Sequence, residues 1–345
     1  MLRFGSERLR RISIKSHCIA LIASLFVFAT SSAMAQEMSF FRIGTGGVGG
    51  TYYPVGGVVA LAISNPPGSR SCDKGGSCGV PGLVAIPQSS NGSVSNINGV
   101  DSDKLESGFA QSDTVYWAYS GTGVFKEEKP VESLRAIANL YPESIHVVVR
   151  KGAGIQSIRD LRGKRVSLDE PGSGTLVDAR LILEAYGLSE KDLKAEYIKP
   201  NLAADKIRTG KLDAFFIVAG YPVSSVVKLA REDKVNLIPL GGPEAVALKM
   251  NYRFFSSATI PAGNYPGIEE MKTLSVGAQW IVRANVEESL VYAITKAFWN
   301  KQSRKLLDNG HPRGKVIVMD QALSGLGIPL HPGAERYYKE VGLIK

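Results

Sequence analysis

Histidine and cysteine are scarce in this chain, and that scarcity removes several classes of function. The 345 residues hold four histidines (His17, His146, His311, His331) and three cysteines. The histidines are too scattered to indicate a metal cluster, because zinc sites recur at short, characteristic spacings. Ser173 in Gly172-Ser173-Gly174 has no evident histidine partner in the sequence, so the spacing assembles no nucleophilic triad. Beyond residue 35 no apolar run approaches the roughly 20 residues that a membrane-spanning helix needs.

Acid is missing from one informative place. Gly44-Thr45-Gly46-Gly47-Val48-Gly49 matches G-x-G-x-x-G between an apparent strand and an apparent helix, the dinucleotide-binding fingerprint. That fingerprint calls for an acidic residue about 20 positions on, to hold the ribose. No Asp or Glu lies between Glu37 and Asp73. Pro54 and the paired Tyr52 and Tyr53 also crowd the face a pyrophosphate would need, so no nicotinamide or flavin cofactor is expected.

The N-terminus reads as an export signal. Arg3, Arg8, Arg10, Arg11 and Lys15 form a basic start, Ile19–Thr30 is apolar, and Ala33-Met34-Ala35 is an A-x-A cleavage pattern. Cleavage after Ala35 would leave a mature chain outside the cytoplasm, in the periplasm. The alternative, an uncleaved membrane anchor, is disfavoured by the shortness of the apolar run. The sequence leaves the export route open between the general and twin-arginine systems. Cys18 lies upstream of the apolar run, so it is not a lipoprotein anchor. Removing residues 1–35 leaves 310 residues, enough for two lobes with separate cores. The formal net charge of +9 falls to about +5, because the leader carries five basic residues and one acid. The remaining basic residues are dispersed, and with an export signal present a nucleic-acid partner is not expected.

Cys72 and Cys78 sit in the Gly-rich segment SRSCDKGGSCGVPG. In an oxidising compartment they are expected to close a small disulfide loop, with two free thiols as the alternative.

After the leader, strand, loop and helix alternate. Five junctions stand out: Ser39–Ile43 into Val55–Ser64, Leu83–Ala85 into a helix from Ser93, Gly108–Ala110 into Thr114–Tyr119, Arg165–Leu168 into Leu176–Tyr186, and Asp213–Val218 into Val223–Glu232. Ser189–Ala195 and Ala203–Gly210 read as further helices, and Glu287–Asn300 as an amphipathic helix whose stripe of Leu290, Ala293, Ile294, Ala297 and Phe298 belongs to a core. Such alternation argues an α/β fold with a mostly parallel sheet, and ligands in open α/β sheets sit at the carboxyl ends of strands. The five junction loops carry Gly, Ser, Thr, Tyr and Gln but no Arg or Lys. A bare loop running into a helix start presents backbone N–H groups and partial positive charge, which suits a small anion held by neutral donors.

Seven segments, taken together, resemble the TAXI family of extracytoplasmic solute-binding proteins, which serve TRAP transporters. They are GTGGVGGTYYPVGG at 44–57, QSSNGSVSNI at 88–97, QSD at 111–113, NLYPESIHVVVRKGAGI at 139–155, LRGKRVSLDEPGSGT at 161–175, LDAFF at 212–216 and IPLHPGAERYYKE at 328–340. The resemblance implies a two-lobed fold of the periplasmic-binding-protein kind (type II), with residues 36–140 and 251–345 in one lobe and 141–250 in the other. The chain would cross between lobes near Tyr141–His146 and return near Leu248–Phe255. It implies a non-enzymatic monomer that binds a small organic anion, glutamate-like or a dicarboxylate, and passes it to a membrane permease. An exported α/β enzyme or a ligand sensor acting on a small carboxylate is the alternative.

On that resemblance, Thr45, Gly46, Gly47, Gly50 and Thr51 would offer donors to a carboxylate, and Tyr52 or Tyr53 would cover the ligand. Ser90 and Ser93 would hold a second oxygen pair, and Gln111 would read an amide or hydroxyl. Asp113 would meet a ligand ammonium or, equally, serve as a helix cap. Gly172, Ser173, Gly174 and Thr175, with the Phe216–Tyr221 segment ending at Tyr221, would form the opposite wall. Phe215 and Phe216 would mainly be strand core.

Overall fold

The computed structural model describes residues 37–345, and the basic start, apolar run, Cys18 and cleavage motif lie outside the described residues. Strand β1 (Ser39–Gly44) leads through the glycine loop into helix α1 (Tyr52–Ile63), and β2 (Leu83–Gln88) leads into α2 (Ser93–Asp101). Strand β3 (Ser107–Gln111) passes directly into α3 (Ser112–Ser120). The long strand β4 (Leu134–Arg150) is followed by β5 (Arg165–Ser167), α4 (Gly174–Ala185), β6 (Lys194–Glu196), α5 (Pro200–Arg208), β7 (Ala214–Ala219) and α6 (Ser224–Arg231). Next come β8 (Val235–Leu237), α7 (Gly242–Asn251), β9 (Ser256–Ile260) and the second long strand, β10 (Met271–Arg283). Helices α8 (Glu288–Phe298), α9 (Lys301–Gly310) and α10 (Pro332–Glu340) complete the chain.

The strands run in the order β2-β1-β3-β10-β4-β7-β5-β6, with β8 paired to β4 and β9 to β10. The sheet is mixed rather than mostly parallel. β1 is parallel to β2 and β3, and β5 to β6 and β7, as the strand-helix alternation requires. β4 and β10 are antiparallel to each other and to their other partners, because they carry the chain out of one half of the molecule and back. β4 pairs with β10 from Leu134 to Ser144 and with β7 from Ser144 to Val149. The return strand is therefore β10. Leu248 and Phe255, where the sequence placed the return, are instead the end of α7 and the turn after it, packed with Ile145, Val166 and Leu274. Residues 189–195 are likewise no helix. A single 3-10 turn at Glu190–Asp192 gives way to β6, because the Ser189 and Asp192 side chains close a capping box over only one turn.

Burial divides along the same line. Phe41, Ile43, Val55, Trp280, Ile294, Phe298 and Tyr338 pack together beside β1 and the C-terminal helices. On β7, successive residues face opposite ways: Phe216 and Val218 pack on Val147 and Ile182, while Phe215 and Ile217 pack on Val226 and Leu229. Both phenylalanines are thus core, each contributing about 1.5–3 kcal/mol of burial. In the amphipathic helix, Ile294, Ala297 and Phe298 are buried and Leu290 and Ala293 half-buried. An edge-on aromatic run, Tyr52–Phe109–Trp280–Phe298, ties α1 to β3, β10 and α8 with centroid spacings of 5.7, 6.3 and 5.4 Å. Cys72 and Cys78 are bonded, with their Cα atoms 4.7 Å apart.

Candidate functional site

α2 and α4 both begin at glycine-flanked junctions, and both N-termini point into one cavity. The Ser173 side chain caps α4 by accepting from Leu176 N at 3.0 Å. Gly174 sits so close to β3 that a Cβ there would run into Gln111 Oε1 and lie 2.7 Å from Ser93 Oγ. Only glycine allows the two helix starts to approach this nearly. Ser93 in turn fixes Gln111, accepting from its backbone N–H at 3.0 Å.

The cavity measures about 60 Å³, the size for a few water molecules or one small metabolite. Gly46, Gly47, Gly50, Thr51, Tyr52, Ser93, Gln111, Ser173, Gly174 and Thr175 all line it. The remaining candidate residues stand outside. Thr45 is buried behind the glycine loop, where its Oγ1 donates to Gln88 O at 2.8 Å. Ser90 Oγ lies 2.9 Å from Thr45 O and holds Gly92 N at 3.0 Å, so it shapes the loop. Tyr53 is half-buried on α1. The carbonyl of Gly172 accepts from Ser95 N at 3.0 Å, joining the two junction loops. Tyr221 stacks beneath the Arg313 guanidinium. Asp113 is fully buried in the first turn of α3, two residues past the cap residue Gln111, and faces Asp178.

Loops from the two halves are laced together around this cavity. Thr51 Oγ1 donates to Gly220 O at 2.5 Å, Asn91 Nδ2 to Pro171 O at 3.0 Å, and Gln111 Nε2 to Asp178 Oδ2 at 2.9 Å. The Tyr52 hydroxyl donates to Glu143 Oε2 at 2.6 Å. Thr175 Oγ1 accepts from Val218 N at 3.1 Å.

Sequence reasoning missed the acids and the cation of the lining: Glu143, Asp169, Glu170 and Lys199. Burial pushes the Glu143 carboxyl up to about 8, against the lowering effect of the Tyr52 hydrogen bond. Burial likewise pushes Asp169 up to about 7. Glu143 therefore keeps its proton around neutrality and Asp169 shares the neutral range between its two forms, so they present donors as well as acceptors. Glu170 is paired with Lys199 at 3.3 Å. Asp113 and Asp178, behind the wall, are both raised, first by burial. A signal was available for Glu143, the lone acid of β4, and for Asp169-Glu170 at a strand end. Lys199 precedes α5, a junction outside the five singled out.

A protein from Bordetella bronchiseptica RB50 is similar at 16% identity over 90% of this chain and 91% of that one, with a TM-score of 0.51. PhnD1 from Prochlorococcus marinus, solved with methylphosphonate, matches at 12% identity over 88% and 99% of the two chains, with a TM-score of 0.49. The alkanesulfonate-binding protein SsuA from Xanthomonas axonopodis pv. citri matches at 15% identity over 88% and 85%, with a TM-score of 0.46. Residues 43–342 match the model of the NMT1-like family, and the chain belongs to that family.

Proposed function

We propose that this is an extracytoplasmic solute-binding protein. It captures one small organic anion, glutamate-like or a dicarboxylate, in the cavity between two lobes and delivers it unchanged to a TRAP-type membrane permease. The lobes meet within β4 and β10, so that residues up to about 143 and from about 276 form one and the segment between forms the other.

The observation that carries this reading is the convergence of two helix N-termini, from α2 and α4, on a cavity closed by hydrogen bonds from both halves. Helix N-termini favour a carboxylate through unpaired N–H groups and the helix dipole. The protonated Glu143 fits the same ligand. It donates to a carboxylate, or gives its proton up and accepts from an ammonium. Hydrogen bonds to a charged group are each worth about 1.5–3 kcal/mol, so three or four, less binding entropy, support affinity near the micromolar range of about −8 kcal/mol.

A thermal-shift panel of organic acids tests this. At about 100 times its Kd the true ligand adds roughly 2.7 kcal/mol of stability. It should be recovered intact by mass spectrometry after incubation. A panel with no stabilising acid, or recovery of a converted product, would contradict the reading.

A further inference from the structure

Arg313 is a buried cation without a counter-charge. It is 7% exposed, and among the described residues no carboxylate lies within ion-pair distance of its guanidinium. Its backbone N–H donates to His311 Nδ1 at 3.1 Å, but Nε is buried with no hydrogen-bond partner. One face of the guanidinium is covered by Tyr221, with Cζ 3.8 Å from the ring centroid. Nε, on the edge, is left for another group.

A second unsatisfied donor stands nearby, across Gly220. A Cβ placed on Gly220 would meet Arg313 Cδ at 2.6 Å and Tyr141 Cε2 at 3.0 Å, so both side chains press on one glycine. The Tyr141 hydroxyl is buried and has no partner. Burial holds its phenol well above the ordinary value, so it stays a donor. The other titratable groups here are His311 on the same turn, His146 on β4, Tyr221 after β7, and Tyr265. Burial, with a contribution from Arg313, lowers both histidines, His146 to about 4. An acid that acts on Tyr141, Glu143, itself keeps its proton near neutrality. The neighbourhood therefore holds positive charge and donors without a negative acceptor. An unpaired buried charge is costly, and an anion with lone pairs is the group that relieves it.

We propose that Arg313 and Tyr141 form a second anion site, separate from the cavity, which takes one small monovalent anion, a halide or a carboxylate. Arg313 does not line the cavity but lies one contact beyond it. Thr51 lines the cavity and bonds to Gly220 O, and Gly220 faces Arg313. An anion here fastens the turn at Pro312–Val316 to Tyr221, and so holds the C-terminal segment against the loop after β7.

Thermal unfolding of the protein at neutral pH and fixed ionic strength tests the site. Gluconate, too bulky for a buried site, is replaced stepwise by chloride in one arm and by formate in another. The site predicts a saturable rise in melting temperature in at least one arm. A rise with chloride alone assigns a halide, and a rise with formate alone assigns a carboxylate. Arg313→Gln should abolish the rise, and Tyr141→Phe should weaken the apparent affinity by about tenfold, as loss of one hydrogen bond to a charged group does. Equal melting temperatures in all three salts, or a saturable rise that survives Arg313→Gln, overturns the site. Should Arg313→Gln fail to fold, an anion response unchanged in Tyr141→Phe overturns it equally. A formate rise that survives Arg313→Gln would report the carboxylate donors of the cavity and not this site.

Discussion

Gln111 Nε2 donates a 2.9 Å hydrogen bond to Asp178 Oδ2, joining the end of β3 to the second turn of α4 across the cavity wall. On its other side Asp178 faces Asp113, and each of the two carboxyls keeps one buried oxygen without another partner. Such a pair holds together by sharing a proton, since two adjacent buried charges of one sign repel. The closed arrangement is thus proton-linked through groups that come from opposite halves of the molecule.

Alkaline solution should loosen it. Both carboxyls are raised by burial, so their contribution is fully present below the ordinary Asp value and is lost as pH rises through the raised values. Small-angle scattering of the ligand-free protein should show the radius of gyration growing on the alkaline side. Asp178→Asn replaces the shared proton with a permanent amide donor and should stay compact there. Identical profiles for the two proteins would remove the shared proton from the account.

Glu143 predicts a separate slope. Its carboxyl is raised to about 8, so the folded state binds more protons than the unfolded state from about pH 4.3 upward. Stability should fall with pH across that window, by up to about 1.4 kcal/mol per pH unit from this one group. Glu143→Gln keeps the shape and the acceptor for Tyr52 but does not titrate. Urea unfolding at a series of pH values should therefore give a flatter profile for the variant between pH 6 and 8.

Gly174→Ala should damage the site by steric means alone. The added methyl would strike Gln111 Oε1 and crowd Ser93 Oγ, so one helix start must retreat. Overpacking of this kind costs about 1–3 kcal/mol. Chemical denaturation should show that loss, and the thermal shift given by the ligand should shrink with it.

Thr175→Ala tests the wall formed by α4. The hydroxyl accepts from Val218 N, and its removal strands a buried N–H at a cost of about 1–3 kcal/mol. The same change should weaken ligand binding, since Thr175 lines the cavity. Lowered stability with unaltered affinity would make Thr175 a structural residue only.

The glycine loop after β1, the helix N-terminus at Ser93, and the pairing of apolar strands with amphipathic helices were legible because each is a local pattern. Gly174 is an example: a glycine at a helix start marks a close approach without a structure. The direction of β4 and β10 was not legible, because nothing local tells a long apolar strand which way its partners run. The same limit hid Asp178. It reads as an ordinary charge on a helix until packing brings it against Gln111 and Asp113. Glu143 was hidden differently, its burial being set by Tyr52 and α1, far away in the sequence. The helix expected at 189–195 does not form, and the charges there serve a capping box and an ion pair between Arg180 and Glu190.

The most direct measurement is a crystal structure of the protein purified with its natural cargo. The account predicts one unmodified small anion in the cavity, its carboxylate oxygens within hydrogen-bond distance of the backbone N–H groups that begin α2 and α4. A cargo seated elsewhere, or a cationic one with no carboxylate at those two helix starts, would contradict it.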